Sequence, residues 1–298
     1  MIYDCIIIGG GIAGLQAAIQ LGRYMHDVLV IDSGDGRSSI CKSYHNILGY
    51  PDGVSGEHLR EVGRKQAEQL GVRFIIEKAE KVEKEDQTFN ITAHNGLSYK
   101  GKRLLIATGV MDRLPEIPTM YPCLGKSIYV CPDCDGYEIK DHKTVILGSG
   151  NVGANMALTL SYWTKELIYI NHEQEQVKQE LLEKLEKKNI EYINQSIKEI
   201  QQRDGQLQAI TLADDTRIPS NHGFVAFGKN KVESSLAKQL GVELLENKHI
   251  VVNPRTKETN IKHVWAAGDV IAHSEQVTIA MGDGSQAAIW IHKSLLNG

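Results

Sequence analysis

Short, continuous apolar blocks recur along this chain, several of them followed by a small-residue turn. Ile6-Ile7-Ile8, Val28-Leu29-Val30-Ile31, Leu104-Leu105-Ile106, Val145-Ile146-Leu147, Leu167-Ile168-Tyr169-Ile170 and Val264-Trp265-Ala266 read as buried strands. Their near-continuous β-branched and leucine content is that of strands covered on both faces. Between them the apolar period lengthens to that of helices, over 15–24, 55–69, to about 163 after the 148–153 turn, 176–188, 234–240 and 276–295. Charged Glu180–Lys184 and Glu183–Lys187 pairs lie on the wet face of the 176–188 helix. Shorter alternating stretches near 73–76, 81–83, 89–93 and 97–99 predict a meander, with a hairpin at His94-Asn95-Gly96. The same layout returns near 191–193, 197–201, 207–212 and 223–228, and another strand is expected at 250–252. The fold class expected is α/β, built of two Rossmann-like three-layer nucleotide-binding units.

Each unit opens on a glycine turn. Gly9-Gly10-Gly11-Ile12-Ala13-Gly14 joins the first strand to the first helix, and the next strand ends on Asp32. In a dinucleotide fingerprint the first glycine makes the tight turn and the second lets backbone approach a pyrophosphate. The third lets helix and strand pack closely, and the acid takes a ribose hydroxyl. The alternative is a glycine-rich turn of another α/β fold. Gly148-Ser149-Gly150-Asn151-Val152-Gly153 is a second such turn, which makes Gly148, Gly150, Asn151 and Gly153 candidates for a second nucleotide site. Asp269, at the end of the 264–269 strand, either holds a ligand hydroxyl or caps a turn.

Cys131-Pro132-Asp133-Cys134-Asp135-Gly136 carries the densest chemistry. Two cysteines at this spacing are either half of a zinc site or a redox pair. No second such pair supplies the remaining zinc ligands, so the redox reading is preferred. Pro132 suits the first position of a helix, whose N-terminus favours a thiolate. Cys5, Cys41 and Cys123 read as small buried hydrophobes. His45 and His58 read as ordinary surface or packing residues. A net charge of −4 gives no reason to expect nucleic acid or an anionic membrane. No apolar run reaches membrane-spanning length. A strand beginning near Ile2 leaves no room for a signal peptide, and few cysteines in odd number point to a reducing cytoplasm.

Taken together, Gly9 to Gly14, His45-Asn46-Ile47-Leu48-Gly49-Tyr50-Pro51, Ala107-Thr108-Gly109, Cys131 to Gly136, Gly148 to Gly153 and Ala266-Ala267-Gly268-Asp269-Val270 resemble the low-molecular-weight thioredoxin reductases. The resemblance spans essentially the whole chain. It implies an FAD domain from residues 1–112 and 231–298, with an NAD(P)-like domain at 113–230 inserted and carrying the dithiol. It places FAD against Gly9, Gly11, Ala13, Gly14, Asp32, Ser33, Arg37, Asn46, Val82, Ala107, Thr108, Gly109, Gly268, Asp269, Gln276 and Val277. It further implies that Cys134 faces the flavin, Cys131 attacks the partner disulfide and Asp135 is the nearby acid. A homodimer and a rotating inserted domain belong to the same implication.

Two departures from the family pattern bear on the electron source. The second unit's strand runs into Ile170-Asn171-His172-Glu173, with neither the arginine that suits a 2′-phosphate nor a strand-end acid for NADH. The Asp32-to-Arg37 stretch followed by His45-Asn46 looks more like the dithiol oxidases, whereas Asp135 is what the reductases carry. Three electron routes therefore stand side by side: NADPH or NADH, a protein donor such as ferredoxin, and a substrate dithiol with oxygen as acceptor. The partner expected is a thioredoxin-like protein or a small disulfide. A non-catalytic flavin or nucleotide sensor is the alternative of a different class.

Overall fold

A computed structural model describes residues 1–297. In chain order the elements begin with β1 (Ile2–Ile8), α1 (Ile12–Arg23), β2 (Val28–Asp32), α2 (Gly56–Gln69), β3 (Arg73–Ile76), β4 (Ala79–Glu85), β5 (Thr88–Ala93), β6 (Ser98–Ile106) and β7 (Val110–Met111). They continue with β8 (Ile128–Tyr129), α3 (Pro132–Asp135), β9 (Thr144–Gly148), α4 (Gly150–Leu160), β10 (Leu167–Asn171), α5 (Gln179–Lys187), β11 (Glu191–Ile193), β12 (Ile197–Arg203), β13 (Gln206–Leu212), β14 (Arg217–Pro219) and β15 (His222–Ala226). Last come β16 (Lys231–Val232), α6 (Ser235–Gln239), β17 (Val264–Ala266) and α7 (Val277–Leu296). Contacts group these into two compact units. One holds Met1–Ser39, Ser55–Met111 and the chain from Lys231 onward; the other holds Ile40–Val54 and Asp112–Asn230.

In the first unit a sheet runs β3-β2-β1-β6-β5-β4, with β17 also on β6. β6 serves two neighbours along one edge. Its start pairs antiparallel with β5, and Leu104–Ile106 pairs parallel with β17. The two strands expected at 97–99 and 103–106 are thus one strand. Gly101 lets it pass β1, since a Cβ there would come within 2.8 Å of Ile6. Ile6, Ile8, Leu104 and Ile106 pack on one face of the sheet, and Cys5, Ile7 and Leu105 on the other. That alternation is what a strand covered on both sides produces. Helices α1 and α7 share the second face, close enough that a Cβ on Gly284 would lie 2.2 Å from the Ala13 carbonyl oxygen.

The second unit repeats the plan with the parallel order β11-β10-β9-β15-β8 and an antiparallel β12-β13-β14 meander. Val145, Leu147, Ile168 and Ile170 fill one side; Ile146, Tyr169 and Phe224 fill the other. Two expectations are corrected. Residues 250–252 are not a strand, because the Ile250 and Val251 N–H groups go to the separate carbonyls of Val270 and Glu243. Helix α5 starts at Gln179 rather than 176, because the Lys178 N–H is held by the Asn151 side chain at 2.8 Å.

Candidate active site

The first glycine turn is shaped around an open space. Gly9 has φ +103°, and a Cβ on it would sit 2.3 Å from the Ala107 carbonyl oxygen. A Cβ on Gly14 would sit 1.9 Å from the Gly9 carbonyl oxygen. Both glycines are therefore fixed by packing within the fold. Gly11 differs: φ is −75° and nothing lies within 4 Å of a Cβ built there. It precedes α1, whose first N–H groups have no intrahelical acceptor. Beside it, Asp32 accepts the Gly10 N–H at 3.0 Å and Arg60 at 2.8 Å. An open backbone cradle at a helix N-terminus, with an acid at the strand end, fits the pyrophosphate and ribose of FAD.

Of the other first-unit candidates, Ala107, Thr108 and Gly268 lie against this turn. Ala107 touches Gly9 and Gly14, and a Cβ on Gly268 would meet Ala13 at 2.8 Å. Thr108 donates its hydroxyl to the Glu233 carbonyl at 2.6 Å, and Gly109 follows with φ +68°. Arg37 pairs with Asp269 and Glu275, while Ser33 bonds Asp35. Burial raises the Asp269 carboxyl above its usual range, with Arg37 opposing and Glu275 reinforcing the rise. Gln276 and Val277 open α7. Two candidates stand apart. Val82 is buried in the apolar core and donates its N–H to the Gln239 side chain. Asn46 is exposed in the second unit, beside the ion pair His45–Glu138 at 3.2 Å.

The sequence reading missed the charged residues that brace this region. Arg60 on α2 holds Asp32. Asp283, 5% exposed in α7, accepts from Lys257 at 2.8 Å, from the Gly268 N–H at 3.2 Å and from His273. An acid inside the small-residue stretch Met281-Gly282-Asp283-Gly284 was the available signal, since carboxylates are rarely buried unless paired. Arg60 carried none, as it looks like any solvated helix cation.

In the second unit Cys131 and Cys134 form a disulfide with Cα atoms 5.3 Å apart. Cys131 caps α3, with Pro132 at the first helical position as expected. The Cys134 N–H donates to Cys131 Sγ at 3.2 Å, and Asp135 N–H to the Cys131 carbonyl at 3.0 Å. That N–H···S contact favours the Cys131 thiolate once the bond opens. Asp135 is 7% exposed directly behind it. The half-buried Cys41 thiol is pushed up to about 12 by burial and by the Asp135 charge, so it is not a competing nucleophile. Cys5 and Cys123 are buried in the cores.

The second glycine turn is built differently from the first. A Cβ on Gly148 would meet the Gly153 Cα at 2.8 Å, and one on Gly153 would meet the Tyr169 ring at 2.3 Å. Gly150 has φ +50°, and a Cβ there would find Glu175 Cβ at 3.2 Å and its Oε2 at 3.4 Å. Asn171, fully buried where the first unit has Asp32, accepts the Gly150 N–H at 2.9 Å. Its amide donates to the Glu175 carbonyl, Tyr192 and Asn194. Asn151 is occupied by the Lys178 N–H. Glu173 pairs with Arg113. Burial works against the Glu173 charge, yet Ser149, then Arg113 and Lys229, hold its carboxyl below the usual range.

The family model described as pyridine nucleotide-disulphide oxidoreductase matches residues 3–284. Thioredoxin reductase from Rickettsia bellii is 28% identical, covering 97% of this chain and 97% of its own. Thioredoxin reductase from Treponema pallidum is 29% identical, covering 96% of this chain and 95% of its own. The crystal structure of TrxB from Bacillus anthracis superposes with a TM-score of 0.86 at 27% identity, covering 99% of both chains.

Proposed function

The chain belongs to the pyridine nucleotide-disulphide oxidoreductases, in the low-molecular-weight thioredoxin reductase family, and from that premise we propose how it passes electrons to a thioredoxin-like protein disulfide. It is an FAD-dependent disulfide oxidoreductase. Gly9, Gly11, Gly14 and Asp32 would hold the ADP part of the flavin cofactor, Gly9 and Gly14 by shaping the turn and Gly11 by leaving its backbone open. The residues around Thr108, Asp269 and Gln276 hold the remainder. When bound, the flavin would supply the electron pair for reducing the Cys131–Cys134 disulfide.

Exchange with the partner then needs only this chain's own groups. Cys131 thiolate attacks one sulfur of the partner disulfide; that S–S bond breaks, and the leaving sulfur takes up a proton delivered from Asp135. Cys134 next gives up its thiol proton and attacks Cys131 Sγ, breaking the mixed disulfide; the second partner sulfur leaves and takes that proton to become a thiol. The partner has gained two electrons and two protons, and Cys131–Cys134 is again oxidised. The observation that carries this order is the Cys134 N–H on Cys131 Sγ, which selects Cys131 as the stable thiolate. A cytoplasmic homodimer is the setting we assign. Among the described residues no helix is long and apolar enough to cross a membrane.

The test uses dithionite-reduced holoenzyme and an oxidised thioredoxin. Cys134→Ser is expected to accumulate a mixed disulfide through Cys131, seen by intact mass on a non-reducing sample, whereas Cys131→Ser accumulates none. Trapping by Cys131→Ser instead would reverse the assignment, and trapping by neither would remove the dithiol from the reaction.

A further inference from the structure

We infer that the second glycine turn is closed by this chain's own Glu175 and does not take a pyridine dinucleotide. This goes beyond the disulfide chemistry above, which does not use the turn. Each glycine of the fingerprint has a reason for being glycine that involves no ligand. Gly148 and Gly153 are required by their contacts with each other and with Tyr169. Gly150 is required by its φ of +50°, a conformation L side chains disfavour. What a nucleotide needs in addition is free space over the central glycine, so that phosphate can reach backbone N–H groups. The first turn has that space at Gly11. The second has Glu175 in it, with Cβ and Oε2 at 3.2 and 3.4 Å from the Cβ position of Gly150.

The plug is also charged and tied down. A carboxylate beside the N-terminus of α4 occupies the seat that a helix dipole offers to a phosphate. A pyrophosphate entering there would meet like charge from Glu175 and, one turn of chain away, from Glu173. The Gly150 N–H is already bonded to Asn171. The loop from His172 to Lys178 is held at several independent points. Asn171 Nδ2 grips the Glu175 carbonyl at 2.7 Å, and Lys229 reaches Glu175 at 3.3 Å. Asn151 holds Lys178, His172 Nδ1 accepts the Ile197 N–H at 2.8 Å, and Arg113 holds Glu173. The Glu175 carboxylate is on an exposed side chain and can leave by breaking its pair with Lys229, but taking its Cβ out of the seat means moving the loop, whose backbone is bonded to the buried Asn171 amide.

Holoenzyme with FAD in place is titrated calorimetrically with NADH and with NADPH, with amide exchange over 148–153 and 171–178 as the locator. Wild type is expected to give no saturable binding up to about 1 mM. Glu175→Gly, which removes both atoms from the seat, is expected to bind NADH at least about tenfold tighter than that limit, with new protection at 148–153. Glu175→Gln, which keeps the volume and loses the charge, is expected to fall between them and carries the test if the glycine variant loses its flavin. The inference is overturned by saturable wild-type binding of either nucleotide below about 1 mM with protection at the turn. It is equally overturned by Glu175 variants that fold and bind no tighter than wild type. Mixed-disulfide trapping on the same samples reports separately on the dithiol, so failure of one reading is not failure of the other.

Discussion

Asp32 and Asn171 end the second strand of two copies of one supersecondary unit, and each accepts an N–H from its glycine turn. Around Asp32 the remaining partner is one arginine, and the space over Gly11 is open. Around Asn171 every polar atom is spent inside the protein, and the space over Gly150 is filled by Glu175. A Gly-x-Gly-x-x-Gly pattern thus contains two requirements of different origin. The outer glycines serve close packing of helix on strand, and the central one serves the ligand. A turn that keeps the first requirement and abandons the second still reads as the full motif in sequence.

Alanine at the outer glycines tests this with the largest effects. Gly14→Ala pushes a methyl to 1.9 Å from the Gly9 carbonyl oxygen, and Gly153→Ala pushes one to 2.3 Å from the Tyr169 ring. Each is expected to cost about 1–3 kcal/mol or more in unfolding free energy, as overpacking does. The comparison is sharpened by the flavin. Gly14→Ala is expected to purify with its bound FAD largely lost, and Gly153→Ala to keep its yellow colour. Loss of flavin from both would mean that the second turn supports the first site.

Swapping the strand-end residues comes next. Asn171→Asp keeps an acceptor for Gly150 but aims a carboxylate at the Glu175 carbonyl and the Asn194 side-chain oxygen, in a site closed to water. A destabilisation of about 3 kcal/mol is expected, from an uncompensated buried charge. Asp32→Asn keeps the Gly10 acceptor and only weakens the tie to a partly accessible Arg60, so about 1 kcal/mol is expected. Urea midpoints of the two variants at neutral pH give the ordering, and an equal loss would erase the distinction between the sites.

The central glycines separate the requirements most cleanly. Gly11→Ala adds a methyl at a φ of −75° with no neighbour inside 4 Å. Its apoprotein is expected to be as stable as wild type within about 1 kcal/mol, while flavin affinity falls about tenfold or more because the methyl enters the ligand's space. Gly150→Ala must hold φ +50°, at a cost of about 1–2 kcal/mol, with flavin affinity unchanged. Melting of apoprotein beside fluorimetric FAD titration distinguishes the two patterns.

How much of this was legible follows from what each feature leaves in sequence. The doubled strand–turn–helix–strand layout was readable because buried parallel strands are long apolar blocks and glycine turns are rare. Cys131, Pro132 and Cys134 were readable because cap, spacing and chemistry coincide in one short segment. Glu175 was not, because its importance lies in where a loop folds back, and among Glu173, Gln174, Glu175 and Gln176 the sequence gives no reason to single it out. The split role of β6 was hidden for a related reason: Gly101 looks like a break until the neighbouring Ile6 side chain is seen to need its space. Asp269 in sequence was balanced between cap and ligand residue. Its pairing with Arg37 shows a third possibility, in which the candidate ligand groups neutralise one another.

The smallest contrast concerns protons, and it sets the two units against each other. His273 is raised above its ordinary 6.5, first by its hydrogen bond to Asp283, with burial opposing. Burial opposes the Asp283 charge, but His273 and Lys257 outweigh it and hold the carboxyl below its ordinary 3.8. The histidine therefore contributes stability that is complete below about pH 6.5 and is lost as pH rises through its folded value. The acid's share is present above about pH 4 and is lost as pH falls through its own folded value. His222 in the second unit has the opposite sign. Burial, and then the neighbouring His142, lower its value, so its share is present above pH 6.5 and is lost on acidification. Taking each variant against wild type removes the background of the other histidines. The melting-temperature advantage of wild type over His273→Gln is expected to shrink between pH 5.5 and 8, and that over His222→Gln to grow. Changes on the order of 2 °C are expected for proteins of this size. Two differences of the same sign would show that the histidines respond to net charge rather than to their own partners.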